Sequence, residues 1–228
     1  MKTLKITALF LAAVFVFSSC NTQLNNTAKG GIIGGTGGAG LGALIGGLIG
    51  DGKGAAIGAG VGAVVGTGAG VLIGNKMDKA AKQAEEIEGA KVEQGEQNGV
   101  QYVKVTLDSG ITFPTNGTTL SDNAKTSLSK FINQLDPQFD LAICGHTDNT
   151  GSLEVNQRVS LQRAQSVANY LTSVGLAYSR LRSVKGYDYQ YPIADNGTAA
   201  GRAQNRRVEL YLLPSQAMIN EAQKQADN

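Results

Sequence analysis

Three stretches carry residues able to do chemistry together: Gly145-His146-Thr147-Asp148, then Asn156, Ser160 and Arg163 on one expected helix, then Asn205-Arg206-Arg207-Val208 at the start of an expected strand. A loop carboxylate, a helix guanidinium and a second pair of arginines complement a small zwitterion, the carboxylate accepting from an ammonium and a guanidinium forking onto a carboxylate. Binding, rather than bond breaking, is the chemistry this set points to. His146 is the only histidine in the chain. Without a second histidine or a cysteine at ligand spacing it forms no metal site, and its ring is expected to anchor its loop. A hydrolase using His146, Asp148 and Glu154 lacks the nucleophile, base and orienting group that such a reaction requires. No enzyme activity, cofactor or metal is expected.

The elements that position these residues follow from periodicity. Val103, Val105 and Leu107 alternate as in a half-buried strand, and Ile111 to Phe113 is expected to extend again after a Ser109-Gly110 turn. Ser121 reads as an N-cap, with Leu120, Ala124, Leu128, Phe131, Ile132 and Leu135 at helical spacing until Pro137. Leu141 to Gly145 reads as a strand, Val155 to Val174 as a helix closed by Gly175, and Leu181 to Gly186 and Val208 to Leu213 as further strands. The expected fold is α+β, a two-layer sandwich of helices on a mixed sheet over residues 99–214, with a tail over 215–228.

At 100° per residue, Arg158, Gln162, Gln165, Ser166, Asn169 and Thr172 share the wet side of the second helix, whereas Val167, Leu171 and Val174 face the sheet. Asn156, Ser160 and Arg163 fall on that inward stripe. A half-buried arginine needs a partner. Asp148 is the nearest by sequence, and two readings stay open: a structural Asp148 to Arg163 ion pair, or two valences left for a ligand. Of Arg206 and Arg207, one is expected to pack against the sheet as a structural charge.

The N-terminal part has a different character. Lys2 and Lys5, an apolar run from Ile6 to Phe17 and Ser18-Ser19-Cys20 have the order of a secretion signal over residues 1–19. The small residues before Cys20 resemble a lipoprotein cleavage box, which implies acylation, palmitate included, at Cys20. Without Lys2 and Lys5, eighteen basic residues face eighteen acidic ones. That balance excludes the excess positive charge a nucleic-acid partner requires. Cys144 is then the only other thiol and is expected to be buried and unreactive.

After a tether over 20–29, glycine occupies every fourth position from Gly30 to Gly74, which on a helix makes a ridge for close approach of a second helix. Asp51 and Lys53 divide the segment, so 30–75 is expected to form a membrane-associated helical hairpin, with self-association as the other way to satisfy the ridge. Residues 76–98 are charged and expected to be a solvated spacer.

The run Gly145-His146-Thr147-Asp148-Asn149-Thr150-Gly151, then Asn156, Ser160, Arg163-Ala164, Gly186-Tyr187, Pro192-Ile193-Ala194 and Gly201-Arg202-Ala203-Gln204-Asn205-Arg206-Arg207-Val208-Glu209 closely resembles the OmpA-like peptidoglycan-binding domain. With the lipid anchor and the glycine zipper, the whole is similar to the YiaD type of outer-membrane lipoprotein. The resemblance implies that Asp148 and Arg163 clasp the diaminopimelate of the peptidoglycan stem; by their own chemistry, Asn156 and Thr147 are expected to hydrogen-bond the same group and Arg206, at the start of the last strand, to add a second contact. It also implies an outer-membrane protein, lipid-anchored with its C-terminal domain in the periplasm, and a homo-oligomer is possible through the zipper. The alternative is a wall-binding subunit of a larger envelope machine for secretion, assembly or motor function. A proton-driven stator is disfavoured, because 30–50 carries no ionisable group.

Overall fold

The computed structural model describes residues 68–97, 100–114 and 117–227. The signal segment, Cys20, the tether and most of the glycine zipper lie outside the described residues. In chain order the elements are α1 (Gly68–Glu85), β1 (Ala90–Gln97), β2 (Val100–Asp108), α2 (Ser109–Thr112), α3 (Asp122–Gln134), β3 (Phe139–Gly145), α4 (Leu153–Ser173), a 3-10 turn (Tyr178–Arg180), β4 (Leu181–Gly186), α5 (Ala199–Asn205), β5 (Arg207–Pro214) and α6 (Gln216–Ala226).

The strands make one mixed sheet in the order β1-β2-β5-β3-β4. All neighbours are antiparallel except β3 and β4, which run parallel and are joined through α4. Register builds the apolar face in layers: Val103, Leu212 and Leu141 share one, Val105, Leu210 and Ile143 the next. The third layer holds Leu107, Val208 and Gly145, where the last position carries no side chain. α4 fills that gap. A Cβ on Gly145 would sit 2.0 Å from the Ser160 carbonyl oxygen, and one on its β4 neighbour Gly186 would sit 2.4 Å from the Leu161 amide nitrogen. Two glycines side by side therefore let the first half of α4 press on the sheet at the carboxyl ends of β3 and β4, where open sheets place their ligand sites. On α4 the residues buried are Asn156, Ser160, Arg163, Ala164, Val167, Ala168 and Leu171, the inward stripe expected from the sequence.

Caps terminate the helices as their sequences dictate. The hydroxyls of Ser121, Ser152, Thr198 and Ser215 accept from the amides of Ala124, Val155, Gly201 and Met218. Gly175, with φ of 115°, closes α4.

Four expectations need correction. Residues 76–98 are not a solvated spacer: α1 buries Ala69, Ile73, Met77, Ala80, Ala81 and Ala84, and β1 pairs with β2 along its whole length. Alanine anchors and a polar edge strand give little hydrophobic contrast, which is why the segment reads as solvated. Residues 215–228 are not a tail, because α6 buries Met218, Ile219 and Ala222 and packs against α1. Ile111 to Phe113 is not a strand; the Asp108 carboxylate accepts from the Gly110 amide and starts the short α2 instead. Finally, residues 68–75, expected as the end of the zipper hairpin, are instead the first turns of α1, with Ala69 and Ile73 in the core of the folded domain at 1% and 2% exposure; residues 30–67 of that segment lie outside the described residues. No helix among the described residues is long and apolar enough to cross a membrane.

Candidate functional site

The loop leaving β3 is fixed on both sides before it reaches Asp148. His146 donates its amide to the Arg207 carbonyl at 2.9 Å, and Thr147 donates to the Asp188 carbonyl at 2.8 Å. Thr150 then folds back, its amide donating to Asp148 Oδ1 at 2.9 Å and its hydroxyl to the same oxygen. From the first turn of α4, Asn156 Nδ2 donates to the Thr150 carbonyl at 2.9 Å and to the Ser152 carbonyl at 3.2 Å. Asn156, expected as a ligand contact, thus spends its amide on holding the loop.

Asp148 and Arg163 do not form an ion pair. Asp148 Oδ2 instead accepts from Arg206 Nη1 at 2.6 Å. Arg163 donates from Nε to the Gly117 carbonyl at 3.1 Å and from Nη1 to the Ser109 hydroxyl at 3.4 Å, and its guanidinium lies 5.3 Å from the centre of the Phe113 ring. Every one of these partners is neutral. Burial lowers the Arg163 pKa, the charge of Arg206 pushes the same way, and Asp148 pulls back. The three charges therefore feel one another, with two guanidiniums against one carboxylate. Burial opposes ionisation of Asp148, but the bonds from Thr150 and Arg206 outweigh it and hold its carboxyl below the ordinary range.

Sequence reasoning missed Ser109, Phe113, Gly117 and Thr150. Only Thr150 carried a signal, the Asp-x-Thr spacing of a side-chain turn. Thr147 is buried and its hydroxyl has no partner among the described residues; Asp188 Oδ1 is likewise buried and unpartnered among them. Asp188 has φ of 40°, and its Oδ2 accepts from Gln190 Nε2 at 2.8 Å. The Asn205 side chain, fully buried, clamps the following loop through Ile193, Ala194 and Asn196.

Behind the loop lies a second charged cluster. Arg207 Nε donates to Glu209 Oε1 at 2.7 Å, and the Tyr211 hydroxyl donates to Oε2 at 2.7 Å. Arg207 is the structural charge of the arginine pair. His146 does not anchor the loop through both ring nitrogens: Nε2 stands 3.4 Å from Glu209 Oε2, and Nδ1 meets no partner among the described residues. Packing holds it, stacked on Tyr187 at 5.8 Å and edge-on to Tyr191 at 6.5 Å. His146 and Asp148 thus face different partners, and Glu154 is exposed. Burial pushes the Cys144 thiol far up, away from thiolate chemistry.

This cluster makes stability pH-dependent. Burial drives the His146 pKa below its ordinary 6.5, and Glu209 is held well below 4.5 because His146, Arg207 and Tyr211 overcome its burial. Both folded-state values lie below the unfolded ones, so each contribution is complete above the unfolded pKa and is lost as pH falls. The urea midpoint is expected to be highest near pH 8, lower at about 5 and lower again at about 3.5, with His146→Phe removing the first step. A midpoint that rises between pH 8 and 5 contradicts the assignment.

Residues 112–206 match the OmpA family and residues 1–78 match the YMGG-like Gly-zipper. The C-terminal half is thus similar to the OmpA family and the N-terminal third to YMGG-like glycine zippers. It is similar to the probable lipoprotein YiaD of Escherichia coli (strain K12), 38% identical over 113 residues, which are 48% of this chain and 51% of that protein. It is also similar to the peptidoglycan-binding protein ArfA of Mycobacterium tuberculosis, 47% identical over 74 residues, 32% of this chain and 22% of that one. The match thus spans about half of the first relative and under a quarter of the second. In fold, the chain resembles the cell wall anchor of the T6SS from Pseudomonas aeruginosa, with TM-score 0.51 and 24% identity over 61% of this chain and 97% of that one.

Proposed function

We propose that this is a non-catalytic envelope protein that ties the outer membrane to peptidoglycan, its C-terminal domain in the periplasm and Cys20 acylated. Asp148 receives the ammonium and Arg163 the carboxylate at the free end of a diaminopimelate in the peptide stem. Thr147, with its unpartnered hydroxyl, adds a hydrogen bond, and Asn156 holds the loop in place. The carrying observation is Arg163: an arginine wedged into one orientation by a carbonyl, a hydroxyl and an aromatic ring, with no carboxylate bonded to it among the described residues. A buried cation held this way requires an anion, which the ligand supplies. The relatives support the reading, ArfA being named for peptidoglycan binding and YiaD as a lipoprotein.

The test is co-sedimentation of the detergent-solubilised full chain with purified sacculi, competed by free diaminopimelate. Asp148→Ala and Arg163→Ala are each expected to lose about thirtyfold or more in affinity, the cost of removing one partner of a sheltered charge pair, with circular dichroism unchanged. Folded variants that still sediment like the parent protein would falsify the clasp.

A further inference from the structure

The acceptor proposed for the ligand's ammonium already has a partner within the chain. Arg206 Nη1 donates to Asp148 Oδ2 at 2.6 Å, and this is the one bond its guanidinium makes among the described residues. Its side chain is 42% exposed. Arg163 is the opposite case, wedged by Gly117, Ser109 and Phe113. One guanidinium is fixed and the other is free to move, and a single carboxylate stands between them. When an ammonium binds Asp148 and a carboxylate binds Arg163, two new pairs are complete and Arg206 is left without a counter-ion.

We propose that Arg206 is a transferable counter-ion, covering Asp148 while the site is empty and turning to a second carboxylate of the same ligand when the ammonium arrives. The site then reads an ammonium flanked by two carboxylates and prefers ligands whose second acid is free over those in which it is an amide. The inference rests on the clasp reading and adds to it the class of stem peptide. In such a stem, the second acid is the α-carboxylate of the glutamyl residue that bears the diaminopimelate. An amide there is neutral, cannot draw Arg206 away from Asp148, and must compete with it instead.

Titration calorimetry of the full chain in detergent tests this, with L-Ala-γ-D-Glu-meso-diaminopimelate whose L-centre carboxyl is amidated, so that the glutamyl α-carboxylate is the one acid beyond the free end, and with the form amidated at the glutamyl α-carboxylate as well. The parent protein is expected to bind the free acid roughly threefold to tenfold more tightly, the range of a partly exposed ion pair. In Arg206→Gln the ratio should fall to about one, and the amide should bind at least as tightly as it does to the parent protein, because Asp148 is no longer covered. Equal binding of both peptides by the parent protein overturns the proposal and leaves the clasp standing. So does a ratio that survives Arg206→Gln, or a variant that weakens the amide as well, which would make Arg206 a contact to the shared end. If the parent protein binds neither peptide, the clasp fails and the proposal with it.

Discussion

Arg207→Ala is expected to unfold the domain or bring it close to unfolding, whereas Arg206→Ala, one residue earlier, should leave its stability almost untouched. Arg207 and Glu209 are each 1% exposed and bonded at 2.7 Å. Arg207 also donates to the Tyr191 carbonyl at 3.0 Å and the Asn205 carbonyl at 3.3 Å, so it ties β5 to the loop before α5 and to the last residue of α5. Truncation leaves the Glu209 anion buried with only the Tyr211 hydroxyl and a neutral imidazole beside it. An uncompensated buried charge costs about 3–5 kcal/mol, against a total stability of about 5–15 kcal/mol for a typical domain. Arg206 is half-exposed, and such pairs contribute under about 1 kcal/mol. Urea titration of both variants decides the matter. A loss below about 1 kcal/mol for Arg207→Ala would mean that Glu209 is not ionised in the fold. Removing both charges with Arg207→Met and Glu209→Gln should recover much of the loss, because the cost lies in the orphaned anion rather than in the missing bond.

The contrast between these two arginines shows what a sequence can and cannot say. That one of them would be structural follows from strand alternation. Which carboxylate each takes does not, because the partner of Arg206 lies 58 positions away and is chosen by the meeting of two loops. The same limit explains Arg163. Its burial was legible from helical phase, since the polar residues of α4 fall on one side and Arg163 on the other. Its neutral partners sit in the segment around α2, where Asp108 capping overrides the extended reading of Ile111 to Phe113. Strong signals gave correct elements: the Ser121 cap, the stop before Pro137 and the left-handed Gly175. Weak contrast hid others. α1 packs through alanines, and β1 is an edge strand whose partly buried apolar residues are Ala90 and Val92. Helix α1 also begins inside the glycine repeat, with Gly70 and Gly74 in its first turns, so repeat and domain share residues that composition assigns to one of them.

Gly145→Ala is expected to damage fold and site together, and its physics differs from that of an ordinary overpacked core. The added methyl carbon would lie 2.0 Å from the Ser160 carbonyl oxygen and 2.8 Å from the Ser160 carbonyl carbon. Both are backbone atoms, so no side-chain rotation relieves the contact, and the first half of α4 must move off the sheet. Overpacking with room to adapt costs about 1–3 kcal/mol, and a backbone clash belongs at or above the upper end. Asn156 lies one turn before the point of contact and Arg163 one turn after it, while Asp148 hangs on the loop that begins at Gly145 itself. A shift of α4 therefore changes the separation of Asp148 and Arg163, and binding sites tolerate errors of only about 0.5 Å. The variant should lose sacculus binding even under conditions where circular dichroism reports it folded. Ser160→Gly should not rescue it, because the atom in the way belongs to the main chain. Rescue by that second change would place the crowding at the Ser160 side chain. α4 would then be held to the sheet by something other than the paired glycines of β3 and β4.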